Sequence, residues 1–251
     1  MSAITATARL ARLLARENAA TSLRQLPRLF RHPVWRGRAE AGASRGVVLV
    51  PGFFSGATSF AVLRRWLRGR GFRPRDAGIG FDVGCTGELV GRLERRLAEH
   101  AAETGGRVGH SRGGGLARVA AAHRPDLVRG VIMLGSPVLD PLGAHPVVFH
   151  AARALARLSA AGVPNLLDAG CLTGGCRDEH LAGLAEPLAV DVPALSVYSR
   201  RDAIVPWRAC LDPRASHAEV HSGHLGLTID PDVYTAVEPF LEEWADDPAV
   251  A

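Results

Sequence analysis

Three short, largely apolar runs limit what this chain can become. Val47-Val48-Leu49-Val50 lies between Gly46 and Pro51-Gly52, and Val131-Ile132-Met133-Leu134 stops at Gly135. Ala194-Leu195-Ser196-Val197-Tyr198 runs into the polar Ser199-Arg200-Arg201-Asp202. A strand with one wet face alternates apolar and polar residues, so runs without alternation belong to strands covered on both faces. Between them the period becomes helical: Ala61, Leu63, Trp66 and Leu67 ahead of Gly69 and Gly71, then Leu89, Val90, Leu93 and Leu97 after Thr86 and Glu88. Strands alternating with helices predict an α/β domain, a mostly parallel central sheet with helices on both faces.

Size and composition agree. A chain of 251 residues, 47% hydrophobic and 22% charged, buries a full core, which excludes a disordered or fibrous protein. No apolar run approaches the ~18 residues that span a bilayer.

The charge is lopsided. All 30 basic residues are arginine, and residues 1–45 hold nine of them against Glu17 and Glu40, a net of +7 that leaves −2 for the rest. The basic character therefore belongs to an N-terminal arm. With 6% aromatic residues and no basic stripe on the remaining chain, nucleic acid is not an expected partner. Residues 4–17 read as an amphipathic helix with Ile4, Leu10, Leu13 and Leu14 on one face and Arg9, Arg12 and Arg16 on the other. Such a helix suits contact with a membrane surface or packing on its own domain. Gly37 to Gly46 has the punctuation of a linker, so the domain is expected over 46–251.

Residues 142–190 carry an Ala/Leu/Arg helical stretch and a Gly/Cys loop, and read as an insertion between two sheet strands. Cys85, Cys171, Cys176 and Cys210 form no Cys-x-x-Cys pair, so no structural zinc signature is present. Cys171 and Cys176 are close enough to bridge a short loop. Without a secretory apolar segment, free thiols in a reducing cytoplasm are the expectation. His145, His150 and His180 are too scattered for a metal site, His-Glu-x-x-His is absent, and Gly-Phe-Phe-Ser-Gly at 52–56 lacks the Gly-Lys-Ser/Thr ending of a phosphate loop.

Gly109-His110-Ser111-Arg112-Gly113 fits Gly-x-Ser-x-Gly, in which glycines permit a strained turn that lifts a serine hydroxyl out of the sheet at a helix start. Gly114, Gly115, Leu116, Val119 and Ala120 continue as a helix able to pack close to the sheet. A serine hydroxyl needs a histidine base oriented by a carboxylate. Asp202 follows directly after the strand ending at Tyr198, and His224 lies in a loop after the strand-like Ala218-Glu219-Val220. Asp140 is a second carboxylate and His221 a second base. Backbone N–H groups of Phe53, after the first strand, and of Arg112, after the serine, are placed to form an oxyanion hole.

The chain at this point resembles the α/β-hydrolase superfamily, most closely its bacterial serine esterases and lipases. The resemblance runs from about Gly46 to Phe240 through Leu-Val-Pro-Gly-Phe, Gly-His-Ser-Arg-Gly-Gly, Leu-Gly-Ser-Pro, Tyr-Ser-Arg-Arg-Asp and Ser-Gly-His-Leu-Gly-Leu. It implies a Ser111–Asp202–His224 triad, no cofactor, a lid built from residues near 142–190, and acyl transfer on a small ester with a hydrophobic acyl group. Asp202 and His224 are preferred over Asp140 and His221 because their surroundings match the family loops.

One departure stands out. Relatives place an apolar strand before the elbow, whereas Glu103-Thr104-Gly105-Gly106-Arg107-Val108 leads straight into Gly109. Either the preceding helix ends before Ala102 and frees Thr104 to Val108 for the strand, or the strand is truncated and the elbow displaced. The second case would make a catalytically impaired binding protein.

Overall fold

The computed structural model describes residues 12, 24–37, 42, 44–100 and 104–246. Six parallel strands, β1 (Gly46–Val50), β2 (Arg73–Asp76), β3 (Thr104–His110), β4 (Gly130–Leu134), β5 (Ala194–Ser199) and β6 (Ser216–Val220), form one sheet in the order β2-β1-β3-β4-β5-β6. The order reverses at β1, next to the central β3. Helices α1 (Ala61–Gly69), α2 (Thr86–Glu99), α3 (Arg112–His123), α4 (Pro146–Ala160), α5 (Gly170–Thr173), α6 (Gly175–Ala185) and α7 (Pro231–Asp246) connect and flank the strands.

The unalternating runs are buried for the expected reason. Val47 and Leu49 face α1 and α7, while Val48 and Val50 face α2 and α3, so all four are 1% exposed or less. Each such side chain contributes about 1.5–3 kcal/mol relative to exposure. β4 is divided in the same way, Ile132 and Leu134 on one side and Val131 and Met133 on the other.

β2 and β6 carry no apolar run. They are the sheet edges, where one hydrogen-bonding side and part of each face meet solvent, and Pro74 in β2 costs no ladder bond on an open side.

Of the two cases open before the elbow, the early helix end is the one found. α2 stops at Glu99, and β3 runs seven residues from Thr104 to His110. Gly106 to His110 pair with Gly130 to Leu134 of β4, and Gly106 to Gly109 with Val47 to Val50 of β1. The register skips Gly105, since Gly46 faces Thr104 and Val47 faces Gly106. A glycine at a bulge lets the strand lengthen without a side chain to place. The ladders on both sides require this depth, and it outweighs the weak strand propensity of the glycines.

The segment expected to be linker and arm is in part packed. Residues 24–31 are helical, Leu29 is fully buried, and Trp66 donates its indole N–H to the Val34 carbonyl at 2.8 Å. Gln25 donates to Ser222 Oγ at 2.8 Å, so this segment braces the loop that leads to His224. The helix expected over 4–17 lies outside the described residues apart from Arg12. No helix among the described residues is long and apolar enough to cross a membrane.

Candidate active site

Ser111 sits where β3 turns into α3, with φ 55° and ψ −127°. A non-glycine residue in this region is strained, and only close packing around it holds it there. The packing is backbone on backbone. A Cβ on Gly109 would stand 2.5 Å from Gly114 Cα, and one on Gly113 would overlap the carbonyl oxygens of Val50 and Pro51. The two glycines of the motif thus let α3 start against the ends of β3 and β1.

Asp202 and His224 come from the loops after β5 and β6. His224 Nδ1 lies 2.6 Å from Asp202 Oδ2, and Asp202 Oδ1 accepts the amides of Ile204 and Val205, each at 2.8 Å. The carboxylate is thereby fixed on three donors and holds the imidazole with Nδ1 protonated. Nε2 is then free to take a proton. A Cβ on Gly135, at the end of β4 with φ 58°, would lie 3.2 Å from Asp202 Oδ2 and 3.3 Å from His224 Nδ1. Glycine there lets the acid and base meet over the sheet edge. His221 is exposed, and Asp140 lies on the same cavity as His224, whose imidazole bonds Asp202 instead.

Gly52 to Ser55 form a tight turn after β1, closed by the Ser55 amide onto the Gly52 carbonyl at 3.0 Å, with Phe54 at φ 58°. The Phe54 amide donates to the Asp82 carbonyl and the Asp82 amide to the Ser55 carbonyl, so the turn is clamped to the 81–82 loop. Phe53, inside this turn, and Arg112, in the first turn of α3, line the same cavity as Ser111 and His224.

Arg112 was expected to act through its backbone N–H alone, yet its side chain is also engaged. Its guanidinium bonds the Asp82 carboxylate, the Gly84 carbonyl at 2.9 Å and Thr86 Oγ1 at 2.8 Å, and stacks 5.5 Å over the Phe53 ring. Asp82 is fully buried, and this burial pushes its pKa up to about 6 although Arg112 pulls it down. The side chain thus ties both expected oxyanion residues to one loop. Asp82 is thirty positions from Arg112, beyond any local pattern.

His110, next to Ser111 in the elbow, is buried. Burial, reinforced by His224, pushes its pKa down to about 3, so the ring is neutral and its Nε2–H donates to the His224 backbone carbonyl at 3.0 Å. It anchors the base loop to the elbow. His180, from α6, also lines the cavity, and burial together with Arg112 lowers its pKa to about 4.

The cavity holds about 630 Å³, within the usual range for small-molecule sites. Phe54, Phe81, Val62 and Ile229 line it from the body of the domain. Val148, Phe149 and Ala152 of α4, Leu172 of α5 and Leu181 of α6 line it from the segment between β4 and β5. The surface offered to a ligand is mainly apolar, and Ser111, His224 and Arg112 are among its polar residues.

No family model matches the chain, and no curated protein matches its sequence. Solved structures do match its fold. A lipase of Bacillus licheniformis in its mature form superposes with a TM-score of 0.63 at 14% identity, over 84% of this chain and 99% of its own. A monoacylglycerol lipase of Paleococcus ferrophilus gives 0.57 at 18% identity, over 79% and 94%. An alpha/beta hydrolase from the metagenome of Mar Chica lagoon sediments gives 0.53 at 15%, over 81% and 91%. Six parallel strands with helices on both faces, a serine on a strained strand-to-helix turn and these structural likenesses agree on one architecture: the chain has the α/β-hydrolase fold.

Proposed function

We propose that this protein is a serine hydrolase of carboxylic esters with a hydrophobic acyl group. One observation carries the reading: a serine held at positive φ on an elbow shares an apolar cavity with a buried His224–Asp202 pair. Ser111 Oγ attacks the ester carbonyl while His224 Nε2 accepts its proton. The negative charge that develops on the carbonyl oxygen falls to the Phe53 and Arg112 amides. The tetrahedral intermediate collapses, the carbonyl-to-alkoxy bond breaks, and His224 returns the proton to the departing alcohol. Water, deprotonated by His224, then attacks the acyl-enzyme, and the acid leaves as Ser111 is reprotonated. Asp202 stabilises the imidazolium at both stages.

The esterase and lipase identities of the structural neighbours support the bond class, and the phenylalanines and aliphatic residues around Ser111 support an apolar acyl chain. The segment between β4 and β5, with α4, α5 and α6, acts as the lid. A truncated strand was the ground for a catalytically silent binding protein, and β3, at seven residues, supports the catalytic reading instead.

A fluorophosphonate probe tests the assignment, together with turnover of a p-nitrophenyl ester series. The wild type should be labelled at Ser111 and Ser111→Ala at no residue, with turnover abolished. Labelling elsewhere, or full turnover by the variant, would overturn it.

A further inference from the structure

Three of the four cysteines meet at one point. Cys85 precedes α2, Cys171 lies on α5 and Cys176 on α6, yet their Sγ atoms stand 3.3 Å (171–176), 3.4 Å (85–171) and 3.5 Å (85–176) apart. Cys85 is 86 and 91 positions from the other two, so the tertiary fold alone makes this near-equilateral triangle. All three are free thiols. A disulfide would use two of them and leave the third packed against the bond, whereas a metal ion uses all three.

We propose that Cys85, Cys171 and Cys176 form a trithiolate site for a divalent thiophilic cation of the zinc class, which fastens the lid helices α5 and α6 to the start of α2. Zinc–sulfur bonds are about 2.3 Å and the sulfurs of a tetrahedral site about 3.8 Å apart, so each edge of the triangle has to open by only roughly 0.3–0.5 Å. An ion placed about 2.3 Å from the sulfurs as they stand would sit roughly 1.2 Å off their plane, leaving a fourth position for water. Cys171 lines the cavity, which gives such a water a route.

Charge favours a divalent ion. Binding displaces one proton from each thiol, and a dication on three thiolates leaves one net negative charge. A monovalent ion would leave two such charges among Ala152, Ala156, Leu167 and Leu172. Cys85 is the N-cap of α2 and Cys176 the second residue of α6, so the positive ends of two helices of 14 and 11 residues face the thiolates. The Arg112 guanidinium reaches the same turn of α2 through Thr86 Oγ1 at 2.8 Å.

This inference does not rest on the ester-hydrolase reading, and its test needs no substrate. The full chain, reduced and stripped with a chelator under argon, is titrated with Co2+ and then Zn2+. A thiolate-to-cobalt charge-transfer band saturating at one equivalent per chain, bleached by Zn2+ with release of protons, is expected. Zn2+ should also raise Tm. Cys85→Ser and Cys176→Ser, at half-buried positions, should weaken binding about tenfold or more, while Cys210→Ser, outside the cluster, should bind as the wild type does. No charge-transfer band, or an equal one in the Cys85→Ser/Cys176→Ser double variant, overturns the proposal. So does a disulfide between any two of the three in protein purified without reductant, when the reduced chain takes up no Co2+.

Discussion

Replacing Gly109 by alanine tests the elbow as a spacing device. The added Cβ would meet Gly114 Cα at 2.5 Å, Gly113 O at 2.6 Å and Gly114 N at 2.6 Å, all backbone atoms with no rotamer to relieve them. Bringing the first contact into the 3.0–3.4 Å range, the tightest that real Cβ atoms occupy, moves the start of α3 by roughly 0.5–0.9 Å. α3 cannot tilt freely, because Gly113, Gly114, Leu116, Ala117 and Ala120 are buried against the sheet and α2. Overpacking of this kind costs about 1–3 kcal/mol. In a domain of this size that is a fall in Tm of about 2–12 °C. The same shift moves the Arg112 amide relative to Ser111's surroundings, and a misplacement near 1 Å costs about 100-fold in turnover. Gly69→Ala is the control: nothing lies within 4 Å of its Cβ, and it should gain about 0.4–1 kcal/mol from a less flexible unfolded chain. Thermal unfolding followed by circular dichroism and p-nitrophenyl ester kinetics on both variants give the answer. A Gly109→Ala protein with wild-type Tm and turnover would refute the argument that the elbow has no slack.

Asp202→Asn should keep the fold and lose about 10⁴-fold in kcat, since His224 loses the partner that fixes its tautomer; Asp140→Asn should stay near wild type, and the reverse pattern would reassign the acid. Asp82 adds a pH signature. Its folded pKa of about 6 is raised above the unfolded 3.8, so its contribution is fully present below about pH 4 and is lost as pH rises through about 6. The difference in unfolding free energy between wild type and Asp82→Asn should therefore fall by roughly 3 kcal/mol across that window, read from urea titrations at several pH values. Asp212→Ala leaves Arg118, 1% exposed, without its carboxylate at 2.9 Å, and should cost about 3–5 kcal/mol by denaturant midpoint; a loss below 1 kcal/mol would show that the Glu186 carbonyl alone suffices for the guanidinium.

The strands that carry the site were legible because their signal is local. Val47 to Val50, Val131 to Leu134 and Ala194 to Tyr198 are unalternating runs, and a run covered on both faces reads the same wherever its neighbours come from. Gly109 to Gly113 was legible for a related reason: a strained turn needs glycine at fixed offsets. The order of Ser111, Asp202 and His224 followed from the strands that precede each of them.

What only the tertiary structure decided lies between residues far apart in the chain. The length of β3 is set by its ladders with β1 and β4, which outweigh the poor strand propensity of Gly105 and Gly106. β2, Arg-Pro-Arg-Asp, is a strand only because an edge tolerates it beside β1. Leu29 and Val34 join the core because α1 and α7 leave apolar surface that a sequence window cannot see. Arg112 reaches Asp82 across thirty positions, His110 holds the backbone of His224 across 114, and Cys85 meets Cys171 across 86. Periodicity reports which face of an element is buried, and the identity of the partner across the gap depends on loop paths that no local pattern encodes.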